Sequence, residues 1–284
     1  MASKYIKLGI LLVCAYLSLC VKVVLASDVI MFLKNHNFKA LESHYSNIQG
    51  KFEQGLIDEF ALLDAYKPFY LRKDVLSNEL SLWVIAYPKS YYAHLAKGTY
   101  YRKLGEYHRG TDYFNNVPNS AITYMENAFN KSEKELKKAI WFSDNPYLAI
   151  LNLLNIARYR GDNKAASLYL EMGNRYLNDN ILIRARYLDH LKPRWGGTYD
   201  QMEDFLSRCE KEAVNSEVIG LLSSFISNDK GISARERGRN REAANHFKQA
   251  LIKAKRSSSG LKLKYISSSV MACRNGLVSG IECP

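Results

Sequence analysis

One periodicity runs through almost the whole chain: apolar residues recur at alternating steps of three and four, with breaks of only a few residues. That spacing places them on one face of an α-helix, whereas a half-buried strand needs alternation by two. No segment sustains such alternation. Between residues 37 and 55, Asn37 offers a side-chain cap, Phe38, Leu41, Tyr45, Ile48 and Phe52 form a stripe, and Gly55 stops the run. Further stripes lie at Phe60, Leu63 and Tyr66, and at Leu76, Leu80, Trp83 and Tyr87 before Pro88. Another joins Ala93, Ala96, Tyr100 and Leu104, with Gly105 as its expected stop. Helices of this length joined by so few residues must lie antiparallel to their neighbours. The expected fold class is all-α, with antiparallel helix pairs stacked as an α-solenoid.

The middle of the chain continues the pattern. Ile122, Met125, Phe129, Leu136 and Ile140 share one long helix, and Asn145-Pro146 reads as the cap and first-turn proline of the next. That helix has an inner stripe of Leu148, Leu151, Leu154 and Ala157. Arg160-Gly161-Asp162 ends it and caps a successor carrying Ala165, Ala166, Tyr169 and Leu170. At 284 residues the chain exceeds one ordinary compact domain, but an array whose units pack only on their neighbours grows past that limit. With 47% apolar residues, only 6 Pro and 16 Gly, the chain can build a core and is too apolar to be disordered. The 20 tyrosines and 11 phenylalanines recur at helical spacing, which assigns most of them to packing between helices.

Two stretches are more specific. Gly238 is followed by Ala243, Phe247 and Ala250, and Gly161, Ala166, Leu170 and Gly173 repeat the same offsets. A glycine turn before a helix with small residues at these steps lets a second helix approach closely. Both stretches resemble the second helix of a tetratricopeptide repeat, without the tryptophan and tyrosine of its first helix. The resemblance implies a tetratricopeptide-like α-solenoid.

The first residues read as a targeting segment: Lys4 and Lys7 precede an apolar run from Leu8 to Val21, and Val24-Leu25-Ala26 precedes an expected cleavage after Ala26. An uncleaved anchor and lipidation at Cys20 are the alternatives. The expected organisation is a signal peptide over 1–26, a helical domain over 27–215 and a basic, repeat-like helical region over 216–284. The protein would then be periplasmic or secreted. Cleavage would leave Cys209, Cys273 and Cys283; Cys273 and Cys283 are placed to close a short disulfide loop through Gly276 and Gly280, while Cys209 falls in a helical pattern. No Cys-x-x-Cys or His-x-x-x-His spacing calls for a metal, and no motif calls for a cofactor.

The most unusual local sequence is Leu191-Lys192-Pro193-Arg194-Trp195-Gly196-Gly197-Thr198-Tyr199-Asp200-Gln201-Met202. Pro193 stops one helix, and Thr198 with Gln201 forms a capping box for the next. The glycines let the chain turn sharply, so Trp195 can fold back between helices as a packing staple. Alternatively, Arg194 and Trp195 form a recognition patch, since both residue types are enriched among binding hot spots. With Trp83 and Pro88, Gly98-Thr99-Tyr100-Tyr101 and His108-Arg109-Gly110 upstream, residues 60–215 resemble the bacterial family known as domain of unknown function 4034. That family implies a helical, repeat-like fold and carries no catalytic residues to transfer.

The chain carries a formal charge of +12. Residues 230–264 contain Arg235, Arg237, Arg239, Arg241, Lys253, Lys255 and Arg256 among their cations, against only Glu236 and Glu242. Such a run is either a solvated helix face or a surface for anionic partners. Export argues against nucleic acid, as do the few aromatics among the cations. Glu133 and Glu135 read as solvated helix charges, and Asp58 with Glu59 as acidic residues at a helix start. The histidines, His36, His44, His94, His108, His190 and His246, stand in no nucleophile or acid–base motif. The expected function is an exported, non-enzymatic interaction scaffold for an unidentified protein of the cell envelope, with Arg194, Trp195 and Arg109 as candidate contacts. The alternatives are a cell-envelope enzyme whose site gathers residues such as His108, Arg109 and Arg194 from distant helices, and a binder of anionic surfaces through residues 230–264.

Overall fold

A computed structural model describes residues 25–71, 73–112, 114–254, 266–280 and 283. Among these the chain is all-α, with thirteen α-helices and no strand. The array opens with α1 (Ala26–Lys34), α2 (Phe38–Glu53), α3 (Glu59–Ala65) and α4 (Ser77–Ala86). A long pair follows, α5 (Tyr91–Arg109) and α6 (Asn119–Trp141), and then α7 (Tyr147–Arg160), α8 (Asn163–Tyr176), α9 (Leu182–His190) and α10 (Tyr199–Lys211). A second long pair, α11 (Ser216–Glu236) and α12 (Asn240–Ala254), leads to α13 (Ser267–Arg274). None of the described helices is long and apolar enough to cross a membrane. The expected signal segment, apart from Leu25 and Ala26, lies outside the described residues, as do Lys255 and Arg256 of the basic run.

The caps at Asn37 and Asp162 follow the sequence signals, and Ser90 adds another. Asn37 accepts from the Ala40 N–H, Ser90 from Ala93 and Asp162 from Ala165, each satisfying a donor that the first helical turn leaves free. Gly161 ends α7 in the left-handed region at φ 66°. The two long pairs are antiparallel: Gly98 of α5 faces Leu136 of α6, and Gly105, two turns on, faces Phe129, two turns back. In the second pair Gly231 lies against the Phe247 ring, where an added Cβ would come within 2.5 Å of it. Glycine is what lets these axes come so close.

Five local expectations change. Gly105 does not stop α5, which runs on to Arg109. Its missing side chain makes room for Phe129, 2.7 Å from where a Cβ would stand, and Gly110 at φ 73° is the stop. Pro146, not Asn145, is the residue before α7; the Asn145 carbonyl instead accepts from Gln49 Nε2 at 3.2 Å. The inner stripe of α7 widens to the whole helix: Tyr147 to Arg158 are all buried, because α5, α6, α8 and α9 pack around it. Glu135 is a buried ion-pair partner rather than a solvated charge, with His94 Nδ1 at 2.6 Å and Lys97 Nζ at 3.1 Å.

Glu59 is the fifth. Asp58 caps α3, accepting from the Phe60 and Ala61 N–H groups, so Glu59 is free to turn away from its own helix. Its buried carboxylate accepts from the Ile181 N–H at 2.6 Å and the Leu182 N–H at 3.0 Å, and from the Tyr147 hydroxyl. It therefore caps α9 from more than a hundred residues away, against the positive end of that helix.

Two further features frame the molecule. Tyr45, Tyr66, Phe69 and Trp83 form a buried aromatic cluster between α2 and α4, with Trp83 Nε1 donating to Glu42 at 2.8 Å. At the other end a disulfide joins Cys273 to Cys283, their Cα atoms 5.8 Å apart, while Cys209 is buried as a free thiol.

Candidate functional site

Pro193, Arg194 and Trp195 form a 3-10 turn between α9 and α10. The two glycines after it do different work. Gly196 sits at φ 91°, a conformation that side chains rarely adopt. Gly197 is needed for space, since a Cβ there would lie 2.1 Å from the Leu191 carbonyl oxygen. The Gly197 N–H donates to the Lys192 carbonyl at 3.2 Å, and the reciprocal Thr198 and Gln201 bonds start α10. Fixed on both sides, the turn sets Trp195 half-buried and edge-on to Tyr159 of α7, ring centroids 5.3 Å apart.

Three guanidinium groups gather on that indole. Arg158 lies 4.7 Å from its centroid, Arg109 5.3 Å and Arg194 5.5 Å. Two of them come from the last turns of α5 and α7, where the exposed carbonyl ends of a helix favour cations. Arg109 is only 6% exposed and its Nη1 donates to the Asp112 carbonyl at 2.5 Å. Arg194 Nη2 donates to the neighbouring Thr111 carbonyl at 3.1 Å, which ties the turn to the end of α5. Arg158 is 8% exposed, its Nε has no hydrogen-bond partner, and among the described residues no carboxylate lies within ion-pairing distance of it. Burial lowers the pKa of both buried arginines, with Arg186 adding its repulsion at Arg158 and Arg194 adding its own at Arg109.

These groups form one wall of a cleft of about 700 Å³. The other wall holds Asp189, Lys192, Tyr199, Asp229 and Arg237. Its charges are internally matched: Lys192 bonds Asp189 at 2.8 Å and Asp229 at 3.1 Å, Arg186 bonds Asp189 at 2.8 Å, and the Tyr199 hydroxyl donates to Asp229. Burial would raise the Asp189 pKa, but the charges of Lys192, Arg186 and Arg158 outweigh it and hold the carboxyl well below the usual range. That carboxylate is not poised to take a proton near neutral pH. Among the described residues no group of three or more His, Cys, Asp or Glu is placed to hold a metal ion.

The fold thus brings Arg109, Arg194 and Trp195 together. His108 does not join them; it stacks on Tyr124 at 5.2 Å. The basic run is divided rather than gathered on one face. Arg237 reaches the cleft, Arg235 covers the Phe247 ring, Arg239 pairs with Glu242 at 3.4 Å, and Arg241 is exposed. Lys253 donates to Ser227 at 3.1 Å beside a separate depression that also holds Glu203 and His246. Sequence reasoning missed Arg158, Tyr159, Lys192 and Asp189. Their only signal was proximity: Arg158 and Tyr159 directly precede the Arg160-Gly161 helix end, and Lys192 precedes the Pro-Arg-Trp turn. No protein-family model, curated protein or solved structure matches this chain.

Proposed function

We propose that this chain is an exported, non-enzymatic interaction scaffold that presents the cleft between α5, α7, α9 and α11 to a protein of the cell envelope. The observation that supports this reading most is that Arg109, far away in sequence, meets the adjacent Arg194 and Trp195 in one cleft. A half-buried tryptophan flanked by arginines is the composition of a binding anchor. The contacts would be made by Arg194 and Trp195 at the mouth, with Arg109 behind them.

One observation favours a second reading, an enzyme of the cell envelope: the cleft places the carboxylates Asp189, Asp229 and Glu236 near the arginines. Against it, Asp189 is committed to Lys192 and Arg186 and stays ionised. The scaffold reading is tested in one experiment. The tagged full chain and its Trp195→Ala variant are used to capture components of the exported fraction under chemical crosslinking. The scaffold reading expects a discrete protein retained by the wild type and lost with the variant at unchanged helical content. Retention by both, with equal affinity, would remove Trp195 from the contact and leave it a packing residue.

A further inference from the structure

We propose that the inner end of this cleft is a binding site for a phosphate monoester, in which Arg109 and Arg158 hold the dianion and Trp195 positions their guanidinium groups. The inference rests on the binding reading for its location, and it adds the chemistry of what is bound.

Arg158 carries the argument. An arginine only 8% exposed normally sits against a carboxylate, because a buried charge left without a partner is strongly destabilising. Here the nearest carboxylates attract Arg158 only from beyond ion-pairing distance, and each is bonded elsewhere, Asp189 to Lys192 and Arg186, and Glu106 to Arg102 and Lys103. Arg158 nonetheless lines the cleft, with its Nε unbonded and its guanidinium carbon 4.7 Å from the indole centroid. Arg109 repeats the pattern: it is buried, lines the same wall, and bonds only backbone carbonyls among the described residues. The indole offers a weak attraction and no hydrogen-bond acceptor, so it orients the two cations without taking up their N–H groups, and Arg158 Nε stays unbonded.

Charge decides the class of anion. The far wall is balanced within itself by Lys192 and Arg186 against Asp189 and Asp229. The near wall holds two buried positive charges, and a phosphate monoester brings about −1.5 to −2 with three strong acceptor oxygens, so it neutralises both. A carboxylate brings one charge and two oxygens, and leaves one buried cation uncompensated. Forked guanidinium donors match phosphate oxygens in pairs, which a lysine cannot do. Arg194 and Arg237 stand at the rim, on the route of an approaching anion.

The test is calorimetric titration of the full chain with phenyl phosphate, inorganic phosphate and benzoate at fixed ionic strength. Phenyl phosphate is expected to bind in the site, inorganic phosphate to compete with it, and benzoate to bind at least tenfold more weakly. Arg158→Gln should weaken phenyl phosphate binding ten- to a hundredfold, and Lys253→Gln, in the separate depression, should leave it unchanged. Should Arg158→Gln fold poorly, the wild type alone answers: phenyl phosphate raises its melting temperature where benzoate does not. No binding of phenyl phosphate, or benzoate binding as tightly, overturns the proposal. If partner capture is still lost in Trp195→Ala while phosphate fails to bind, the phosphate assignment falls and the scaffold reading stands. If phosphate binds and no partner is captured, the reverse holds.

Discussion

Replacing Glu59 by alanine is expected to unfasten the start of α9 from the rest of the array. The wild-type carboxylate accepts from Ile181 at 2.6 Å, from Leu182 at 3.0 Å and from the Tyr147 hydroxyl. Alanine leaves these donors in a buried pocket with no acceptor, at about 1–3 kcal/mol each. Part of that is returned, because the side chain removed is a buried acid. Burial raises the Glu59 pKa above its ordinary 4.5, and the hydrogen bonds from Tyr147, Ile181 and Leu182 pull it only part of the way back. The balance is a loss of about 3 kcal/mol, and at about 2–4 °C per kcal/mol for a chain of this size the melting temperature falls by about 6–12 °C. The pH dependence follows from the sign of the shift. A carboxyl raised in the folded state contributes fully below its unfolded pKa, and that contribution declines as pH rises through the folded value. The lead of wild type over Glu59→Ala should therefore narrow from about pH 4 to about pH 8. Circular dichroism melts at the two pH values measure it, and amide exchange at Ile181 and Leu182 reports whether the loss is local to α9. A drop below about 2 °C, or a lead that widens with pH, would show that the carboxylate does not hold this helix.

Gly105→Ala should cost about 2 kcal/mol, measured by urea unfolding, because its Cβ meets the Phe129 ring at 2.7 Å and the two long helices must separate. Acid should unfold the protein in a defined window. Burial opposes ionisation of Glu106 and Glu135, yet Arg102 and Lys103 hold the first at about 2, and His94 and Lys97 hold the second at about 2. Both groups have lowered pKa values, so their stabilisation is present above the ordinary carboxylate pKa of 4.5 and is lost as pH falls towards 2; tryptophan fluorescence across that range follows it, and a flat profile contradicts the pairing. Reducing the Cys273 to Cys283 bond should destabilise the packing of α13 by about 2–3 kcal/mol, seen as faster proteolysis there with the rest of the array intact.

The helices were legible because their signals are local. A cap such as Asp162 acts on an N–H three residues away, and the stripe of α2 lies within one run of chain, so neighbouring residues contain the whole interaction. Gly105 was misread for a related reason: glycine ends helices and also admits close neighbours, and only Phe129 on another helix distinguishes the two. The Pro-Arg-Trp-Gly-Gly turn stood out as unusual, and its two glycines separate into one required for its backbone angle and one required for space.

The sequence by itself determined that the chain is a run of helices with most of their caps, that they pair antiparallel, and that Trp195 sits on a constrained turn, since periodicity, caps and short connections are properties of adjacent residues. Tertiary structure alone decided that Glu59 caps α9, that Arg109 and Arg158 meet on one indole, and that Asp189 is spent on Lys192 rather than on them. Burial and charge pairing depend on which faces meet across the array, and that distance in space leaves no spacing in the chain.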